Sequence, residues 1–314
     1  MYGNSPGSST QRFYSRDERP VVIQTPPRNF SLINNPEETM SFFADFAKEI
    51  NRNQSKTHFI VDSRNVESVT VDSLIYLIAI LQNEKQNRHM KYMFSGNFPE
   101  NDAARRVYTE SGFTDYVDSR MKVLPESTNT MRIICGINNN PQSAKDLSSF
   151  VIESLGKTKK DILPLQKVLI ELMSNVYHHA YEKNSFMAKK WYMYAEHIDD
   201  YVRCVFVDTG LGIAKTARKN WGEKLRLLFG LQVDDVKIIQ SIFKNEFRTS
   251  TNESYRGNGL VSVRENIKAD IFEVFQVLSG RGRCVFPKDP DPNEMLTYCY
   301  SNKLYGTLYE FIIR

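Results

Sequence analysis

The stretch ELMSNVYHHAY, residues 171–181, places a carboxylate, an amide and an imidazole at intervals of four residues, at Glu171, Asn175 and His179. Residues four apart in an α-helix lie along one edge, so these side chains would project together. The surrounding residues are apolar, and polar groups near a core need hydrogen-bond partners or a metal ion. Mg²⁺ suits such a pair, because proteins hold it through one or two oxygens while nucleotide phosphates and waters complete the octahedron. A solvated polar margin on an ordinary core helix explains Glu171 and Asn175 equally well at this point.

A second motif, VFVDTGLGIA, ends an apolar strand with Asp208, Gly210 and Gly212. A carboxylate in this position can accept a hydrogen bond from an exocyclic amine. The glycines permit positive φ and let the backbone approach a ligand closely. Strand-to-helix turns use the same residues, so an ordinary turn remains the alternative. The pattern GxxxxGK[ST] does not occur in the sequence, so the motif is not a Walker loop.

Two further glycine motifs follow along the chain. In YRGNGLVSVRE, Gly257 and Gly259 precede a helix that we expect to begin near Leu260. Free backbone N–H groups at that helix start, together with Arg256, would bind phosphate oxygens. In YGTLYEFIIR, a Gly-Thr pair heads the last predicted strand. Both patterns are common, so neither identifies a site by itself.

The order of these motifs resembles the GHKL ATPase superfamily, which includes gyrase-type ATPases, a heat-shock chaperone, sensor histidine kinases and anti-sigma factor serine kinases. The similarity covers roughly residues 125–314: an asparagine-bearing helix, a strand-end DxGxG, a GxGL at a helix start and a late Gly-Thr follow one another. The layout is closest to the anti-sigma factor serine kinases. The resemblance implies a Bergerat-type α/β sandwich, with helices on a mixed sheet and ATP between the two layers.

Carried onto this sequence, the resemblance implies that Asn175 ligates Mg²⁺ and that Glu171 is the base that orients or deprotonates the attacking group. His179 matches the end of the family's helix motif. A packing role fits it better than catalysis, because no nucleophile is placed beside it. His178 is expected in solvent, and Val176 stands where many members have alanine.

The same resemblance implies that Asp208 binds the amine of adenine. The other implied nucleotide contacts are Gly210, Gly212 and Ile213 in the turn beneath the base, Arg256, Gly257, Gly259 and Leu260 at the phosphates, and Thr307 at the adenine pocket. Residues 214–256 would form the ATP lid, a long and divergent segment in which Thr249 and Ser250 are candidate phosphate contacts.

The hydrophobic periodicity divides the chain into a flexible tail at 1–28, a small α/β domain at 29–121 and an ATP-binding domain at 122–314. In the first domain strands alternate with helices. In the second, helices precede antiparallel strands, so we predict an α+β fold with helices on one face of a sheet. The last predicted strands are short and lie near 271–278, 296–300 and 305–313.

The first domain resembles the STAS fold of anti-sigma factor antagonists. The stretch VESVTVDSLIYLIAIL stands where that family has an acidic-serine turn before a helix, and the following strand ends in Gly96. A serine in that turn is phosphorylated in the family, which implies Ser73 or Thr70 as the counterpart. An ordinary capped helix start explains the same residues.

Composition limits the class of protein. The chain has 41 basic and 37 acidic residues and a net charge of +4, which gives no footprint for nucleic acid or a membrane surface. Its four cysteines have no metal-ligand spacing, so we expect reduced thiols. The longest apolar run is far shorter than the roughly 20 residues of a transmembrane helix. We therefore expect a soluble, cytoplasmic protein.

Two function classes follow from the resemblance. A sensor kinase is disfavoured, because His58 and His89 precede the ATP domain only at predicted strands. The sequence ends at the last predicted strand, so we expect no gyrase-type transducer domain within it. The first hypothesis is an enzyme that transfers the γ-phosphoryl group of ATP to water or to a protein Ser/Thr. The second is a non-catalytic switch in bacterial signalling or defence, in which ATP changes how the STAS-like domain binds a protein partner; homodimerisation stays open.

Overall fold

The protein is described by a computed structural model. The ranges that it describes are 10–14, 20–52, 57–87, 93–117, 128–179, 190–229, 234–244, 259–288 and 294–314. Side chains are described throughout these ranges except at residues 10–14, 83–87, 93, 178–179, 220–221, 223–225 and 227–229.

The chain divides into two compact units, residues 1–125 and 126–314. Both contain helices and sheets, which confirms the predicted α+β class. The domain boundary that we predicted near residue 122 lies outside the described residues. Among the described helices, none has the length and apolar content that crossing a bilayer requires.

The first unit is built on parallel strands connected through helices. Its elements are β1 (Thr10–Tyr14), β2 (Pro20–Gln24), β3 (Asn29–Phe30), α1 (Pro36–Arg52), β4 (His58–Asp62), β5 (Ser68–Val69), α2 (Val71–Asn87), β6 (Met93–Asn97), α3 (Asp102–Glu110) and α4 (Phe113–Val117). One sheet has the order β1-β2-β4-β6, in which β2, β4 and β6 are parallel and β1 is antiparallel to β2. Strands β3 and β5 pair separately. Helices α1 and α2 supply the long crossovers that parallel neighbours need.

The apolar face of α1 forms much of the core of this unit. Pro36 occupies the first helical position, where its missing N–H costs nothing. The ring centroids of Phe30 and Phe42 lie 5.4 Å apart, and those of Phe46 and Phe59 lie 6.0 Å apart. Helix α1 is therefore amphipathic and packs its aromatic face into this core.

The prediction of a flexible tail at residues 1–28 is wrong for β1 and β2. Strand β2 lies between β1 and β4, and Val22 and Gln24 on it are fully buried. The β-branched residues in its sequence PVVIQ favour a strand, but the Pro-, Ser- and Arg-rich flanks obscured that signal. Strand β3 ends at Phe30, and residues 32–34 form a turn.

The second unit contains one sheet and five described helices. Its elements are β7 (Thr130–Gly136), α5 (Pro141–Leu155), α6 (Lys159–His179), β8 (Trp191–Ile198), β9 (Tyr201–Asp208), α7 (Ile213–Phe229), α8 (Asp235–Phe243), α9 (Gly259–Asn266), β10 (Phe272–Pro287) and β11 (Leu296–Ile313). The strand order is β10-β11-β9-β8-β7, and every neighbouring pair is antiparallel. The mixed sheet implied by the resemblance is therefore wrong for the described strands. Short turns such as Asp199–Asp200 between β8 and β9 permit only antiparallel pairing.

The helices cover one face of this sheet, as predicted. Alternate residues of β9, Val202, Cys204 and Phe206, belong to the same buried cluster as Leu169 and Leu172 of α6. Period-2 alternation places these three strand residues on one face. The helix layer and this face of the sheet therefore share one core.

The three short strands predicted at the end of the chain are two long ones. Strand β10 continues from Phe272 to Pro287 through the sequence SGRGR. Irregularities in the pairing with β11 occur at Ser279/Gly280 and Gly280/Gly282. Bulges of this kind absorb glycines without ending a strand, which explains why the glycines did not mark a loop here.

The lid predicted at 214–256 is wrong for α8, because this helix lies in the core. The ring of Phe243 on α8 lies 5.0 Å from that of Phe286 and 5.9 Å from that of Phe275, both on β10. Residues 245–256 of the predicted lid lie outside the described residues.

Candidate functional site

Asp208 lies at the carboxyl end of β9, in a row of residues that crosses four strands. It is paired with Trp191 of β8 on one side and Thr307 of β11 on the other, and Thr307 is in turn paired with Ser279 of β10. The Asp208 side chain is buried, and its Oδ1 accepts a hydrogen bond of 2.7 Å from the N–H of Gly210. The Thr307 side chain also hydrogen-bonds to the carboxyl group. The predicted residues Asp208, Gly210 and Thr307 are thus brought together.

The environment of Asp208 changes its acidity. Burial raises the pKa of Asp208 to about 7, although the hydrogen bonds from Gly210 and Thr307 oppose the shift. A carboxyl group at a strand end is therefore close to half protonated near neutral pH. A ligand that donates a hydrogen bond to it would favour the ionised form.

Two glycines allow the turn after β9 to press against the start of the paired β11 segment. Gly212 has φ +80° and Gly306 has φ +89°, conformations that favour glycine. A Cβ on Gly212 would lie 2.8 Å from the carbonyl oxygen of Gly306, and a Cβ on Gly306 would overlap the carbonyl oxygen of Asp208. Gly210 does not have a positive φ, and its contribution is the N–H donated to Asp208. The requirement for glycine in the DxGxG motif is therefore strongest at Gly212.

Sequence reasoning missed Ser279, which joins these two glycine turns. Its buried hydroxyl donates to the carbonyl oxygen of Gly306 at 2.8 Å and accepts the N–H of Ile213 at 2.9 Å. Ile213, a predicted site residue, begins α7, so Ser279 satisfies an N–H group that a helix start leaves unpaired. A serine inside the stretch VLSGRGR carries no local signal for such a role.

Glu171 and Asn175 of α6 both face the start of α9. A Cβ on Gly259 would lie 2.8 Å from Asn175 Oδ1 and 3.1 Å from Glu171 Oε2, so the glycine lies directly against both side chains. Within the described part of the chain, the buried Nδ2 of Asn175 has no hydrogen-bond partner. Burial raises the pKa of Glu171 above its ordinary value. These observations favour a polar site over the solvated helix margin that the sequence left open.

The donor set at this position suits Mg²⁺. Among the described residues, no group of three or more His, Cys, Asp and Glu side chains could hold a metal ion. A cation would be held by Asn175 Oδ1 together with ligand oxygens and waters, which is how proteins commonly bind Mg²⁺. The unpartnered amide of Asn175 and the missing Cβ of Gly259 leave a polar position there. The residues present thus fit a magnesium ion that arrives with phosphates.

The α6 pair and the Asp208 row lie at the same end of the helix and sheet layers. Trp191, the strand neighbour of Asp208, donates its indole N–H to the carbonyl oxygen of Asn138 at 2.8 Å. Two residues later, the backbone N–H of Asn140 contacts Met173 Sδ at 3.5 Å. Because Met173 is two residues from both Glu171 and Asn175, residues 138–140 contact the Asp208 row and the turn of α6 that carries this pair.

The remaining predicted site residues have different outcomes. Leu260 on α9 is half-buried and packs against the core of the second unit. His179 is the last residue of α6, and its side chain lies outside the described ones, as does that of His178. Four further predicted residues lie outside the described residues altogether: Arg256, Gly257, Thr249 and Ser250.

In the first unit, both candidate phosphorylation sites belong to a hydrogen-bonded helix start. Ser73 is fully buried; its hydroxyl accepts the N–H of Leu32 at 3.0 Å and donates to Asp72 Oδ1 at 3.0 Å. The hydroxyl of Thr70 donates to Ser31 Oγ at 2.6 Å. This arrangement favours the capped helix start over an accessible phosphoacceptor at Ser73.

Comparison with known proteins adds no assignment. Neither a scan against protein-family models nor a search of curated proteins gave a match.

Proposed function

We propose that residues 126–314 form a Bergerat-type nucleotide-binding domain that binds ATP with Mg²⁺, in the manner of the GHKL superfamily. The observation that carries this proposal is the row through Asp208 and Thr307, in which a buried carboxyl group is held at a strand end between two glycine turns. Asp208 can still accept a hydrogen bond, because each carboxylate oxygen accepts more than one. The adenine amine is the donor that the proposal assigns to it.

The phosphates would lie toward α6 and α9. In this proposal Asn175 holds Mg²⁺ through Oδ1, and the start of α9 at Gly259 offers backbone N–H groups to phosphate oxygens. Bound Mg²⁺ would neutralise charge on the phosphoryl group. The connection through residues 138–140 supports this placement, because it brings the two halves of the site to one end of the layers.

The proposed reaction is transfer of the γ-phosphoryl group to water or to a protein Ser/Thr. Glu171 would accept the proton of the attacking hydroxyl and orient it. Its raised pKa supports this role, because a base is most effective when its pKa approaches the working pH. A protein that only binds ATP does not need this carboxylate, and therefore we favour the enzyme over the non-catalytic switch.

The first unit would be a STAS-like domain that mediates contact with a protein partner. Its parallel strands joined by α1 and α2, with the Asp72-Ser73 sequence at the start of α2, support this part of the proposal. The buried Ser73 implies that any phosphorylation at this residue would require opening of the start of α2.

The test of ATP binding uses calorimetric titration of the full chain with ATP and Mg²⁺. Wild type should bind, and Asp208→Asn should weaken binding at least about tenfold, because an amide N–H₂ replaces an acceptor. Asp146→Asn is the matched control, since Asp146 is exposed on α5, where its Oδ1 accepts a hydrogen bond from Gln142 Nε2. Absence of binding by wild type, or equal affinity in wild type and Asp208→Asn, would refute the proposal.

A further inference from the structure

Ser279 occupies the same row of the sheet as Asp208, two strands away. It is paired with Thr307, which is paired with Asp208, and its side chain has no exposed surface. Its hydroxyl is 2.8 Å from the carbonyl oxygen of Gly306, 2.9 Å from the backbone nitrogen of Ile213 and 3.4 Å from Thr307 Oγ1. One side chain therefore contacts both glycine turns and the residue that hydrogen-bonds to Asp208.

Counting protons assigns the direction of each contact. A serine hydroxyl has one proton and two acceptor positions. The carbonyl oxygen of Gly306 can only accept, so the Ser279 proton goes there, and the N–H of Ile213 occupies one acceptor position. Ser279 therefore has no proton to give to Thr307. The single Thr307 proton is then available for the carboxyl group of Asp208, and this hydrogen bond lowers the pKa of Asp208 against the effect of burial.

These contacts fix the distance between the two turns. Ser279 on β10 hydrogen-bonds to Ile213, in the segment that follows Asp208, and to Gly306, directly before Thr307. Its hydroxyl therefore holds both segments to β10. Without the hydroxyl, a buried N–H and a buried carbonyl would lose a partner, and the segments could separate. Asp208 would then lose the fixed position that recognition of one hydrogen-bond donor requires.

We propose that Ser279 is a positioning residue that determines nucleobase selectivity, by holding the Asp208 and Thr307 segments in one register. The proposal rests on the assignment of this site to ATP. A site built to hydrogen-bond an amine discriminates against an analogue that lacks it. Inosine triphosphate is such an analogue, because it carries an oxygen in place of the 6-amino group of ATP. Ser279 should therefore control the ratio of the affinities for ATP and inosine triphosphate.

A purely structural role predicts a different pattern. If Ser279 only caps α7 and stabilises the fold, its loss would lower the affinities for ATP and inosine triphosphate by the same factor. Ser148 provides the matched control, since it is buried on α5 and its hydroxyl donates to the carbonyl oxygen of Ala144 within the same helix. Ser148→Ala also removes a buried hydroxyl, but not one that joins segments of the site.

The experiment measures the dissociation constants for both nucleotides, with Mg²⁺, in wild type, Ser279→Ala and Ser148→Ala. We expect wild type to prefer ATP, Ser279→Ala to reduce that preference about tenfold, and Ser148→Ala to retain it. Ser279→Cys resembles serine in shape but replaces a strong hydrogen-bonding hydroxyl with a weakly bonding thiol, so it answers the same question if Ser279→Ala does not fold. Circular dichroism establishes folding for each variant.

The outcomes separate this inference from the proposed function. Failure of wild type to bind ATP contradicts the nucleotide site itself. If wild type prefers ATP and a folded Ser279 variant keeps the wild-type ratio, Ser279 does not determine selectivity. An equal loss of affinity for ATP and for inosine triphosphate would also show that Ser279 does not determine selectivity, because a purely structural residue gives that result.

Discussion

Gly259 of α9 lies directly against Asn175 of α6: a Cβ at Gly259 would be 2.8 Å from Asn175 Oδ1 and 3.1 Å from Glu171 Oε2. The resemblance to the GHKL superfamily implied a role for this glycine at the phosphates only. The structure shows that the absence of its side chain also sets the space around the two polar residues of α6. Gly259 thus connects the metal-binding and phosphate-binding parts of the proposed site.

Gly259→Ala should weaken Mg²⁺-dependent ATP binding about tenfold and lower the free energy of unfolding by about 1–3 kcal/mol, because either Asn175 or α9 must shift. Titration calorimetry and urea unfolding measure the two effects. Gly222→Ala is the control: Gly222 is on α7, and among the described residues no atom outside its chain neighbours and the adjoining backbone of α7 lies within 4 Å of its Cβ position, so alanine should stabilise the helix by about 0.5–1 kcal/mol. Unchanged binding in a folded Gly259→Ala protein would contradict the prediction.

Glu171→Gln should leave ATP affinity within about threefold of wild type and reduce phosphate release at least about a hundredfold, because the amide cannot accept the proton. Burial raises the pKa of Glu171, so wild-type activity should fall on acidification at a higher pH than an ordinary glutamate would give. Phosphate release measured across a pH series tests both statements. Glu153→Gln, an exposed change on α5, serves as the control. Full turnover in Glu171→Gln would exclude Glu171 as the base.

Asp208 should make stability depend on pH. Its pKa is about 7 in the folded protein against an ordinary 3.8, so the native state retains a proton that the unfolded chain loses. This contribution is fully present below pH 3.8 and is lost as the pH rises through about 7. Between these limits, the free energy of unfolding of wild type should fall relative to that of Asp208→Asn by on the order of 4 kcal/mol. Urea unfolding of both proteins at several pH values gives the difference; parallel curves would show that Asp208 titrates normally.

Gly306→Ala should destabilise the second unit by on the order of 3 kcal/mol, because the added Cβ would overlap the backbone of Asp208 and would lie 2.7 Å from the Cα of Thr209. Gly156→Ala is the control that measures the cost of a positive φ without the steric contact that occurs at Gly306. Gly156 also has a positive φ, +62°, but no atom of the described residues beyond its two chain neighbours lies within 4 Å of its Cβ position, so the cost of Gly156→Ala should be about 1 kcal/mol. Thermal and urea unfolding measure both variants. Equal effects would mean that the contact at Gly306 relaxes.

Capping residues that stand next to a helix in the sequence mark its ends directly. Helix α5 runs from Pro141 to Leu155, because the Asn140 side chain accepts the N–H groups of Gln142 and Ser143, and Gly156 ends the helix in a left-handed conformation. Asp208 and Thr307 could be placed in one site because motif order suggested their roles. Their strand pairing is what the structure adds.

Long-range contacts explain what could not be predicted. The hydrogen-bond partners of Ser279 are 66 and 27 residues away, so nothing in its neighbourhood marks it. Helix α8 lies within the stretch that the resemblance assigned to the lid, but its apolar face packs on β10, so this part of the assignment is wrong. Strand β2 was assigned to the flexible tail because its flanking residues are polar. Its burial depends on the neighbouring strands β1 and β4, which its own sequence does not reveal.

The close approach of Gly306 to Asp208 affects how the site can be mapped. Scanning by truncation to alanine removes atoms and reports on side chains that make contacts, but Gly306 has no side chain to remove. Its contribution is an empty volume, and only a substitution that adds atoms can reveal it. A truncation scan of this region would highlight Thr307 and pass over the neighbouring residue that lets the two strands meet.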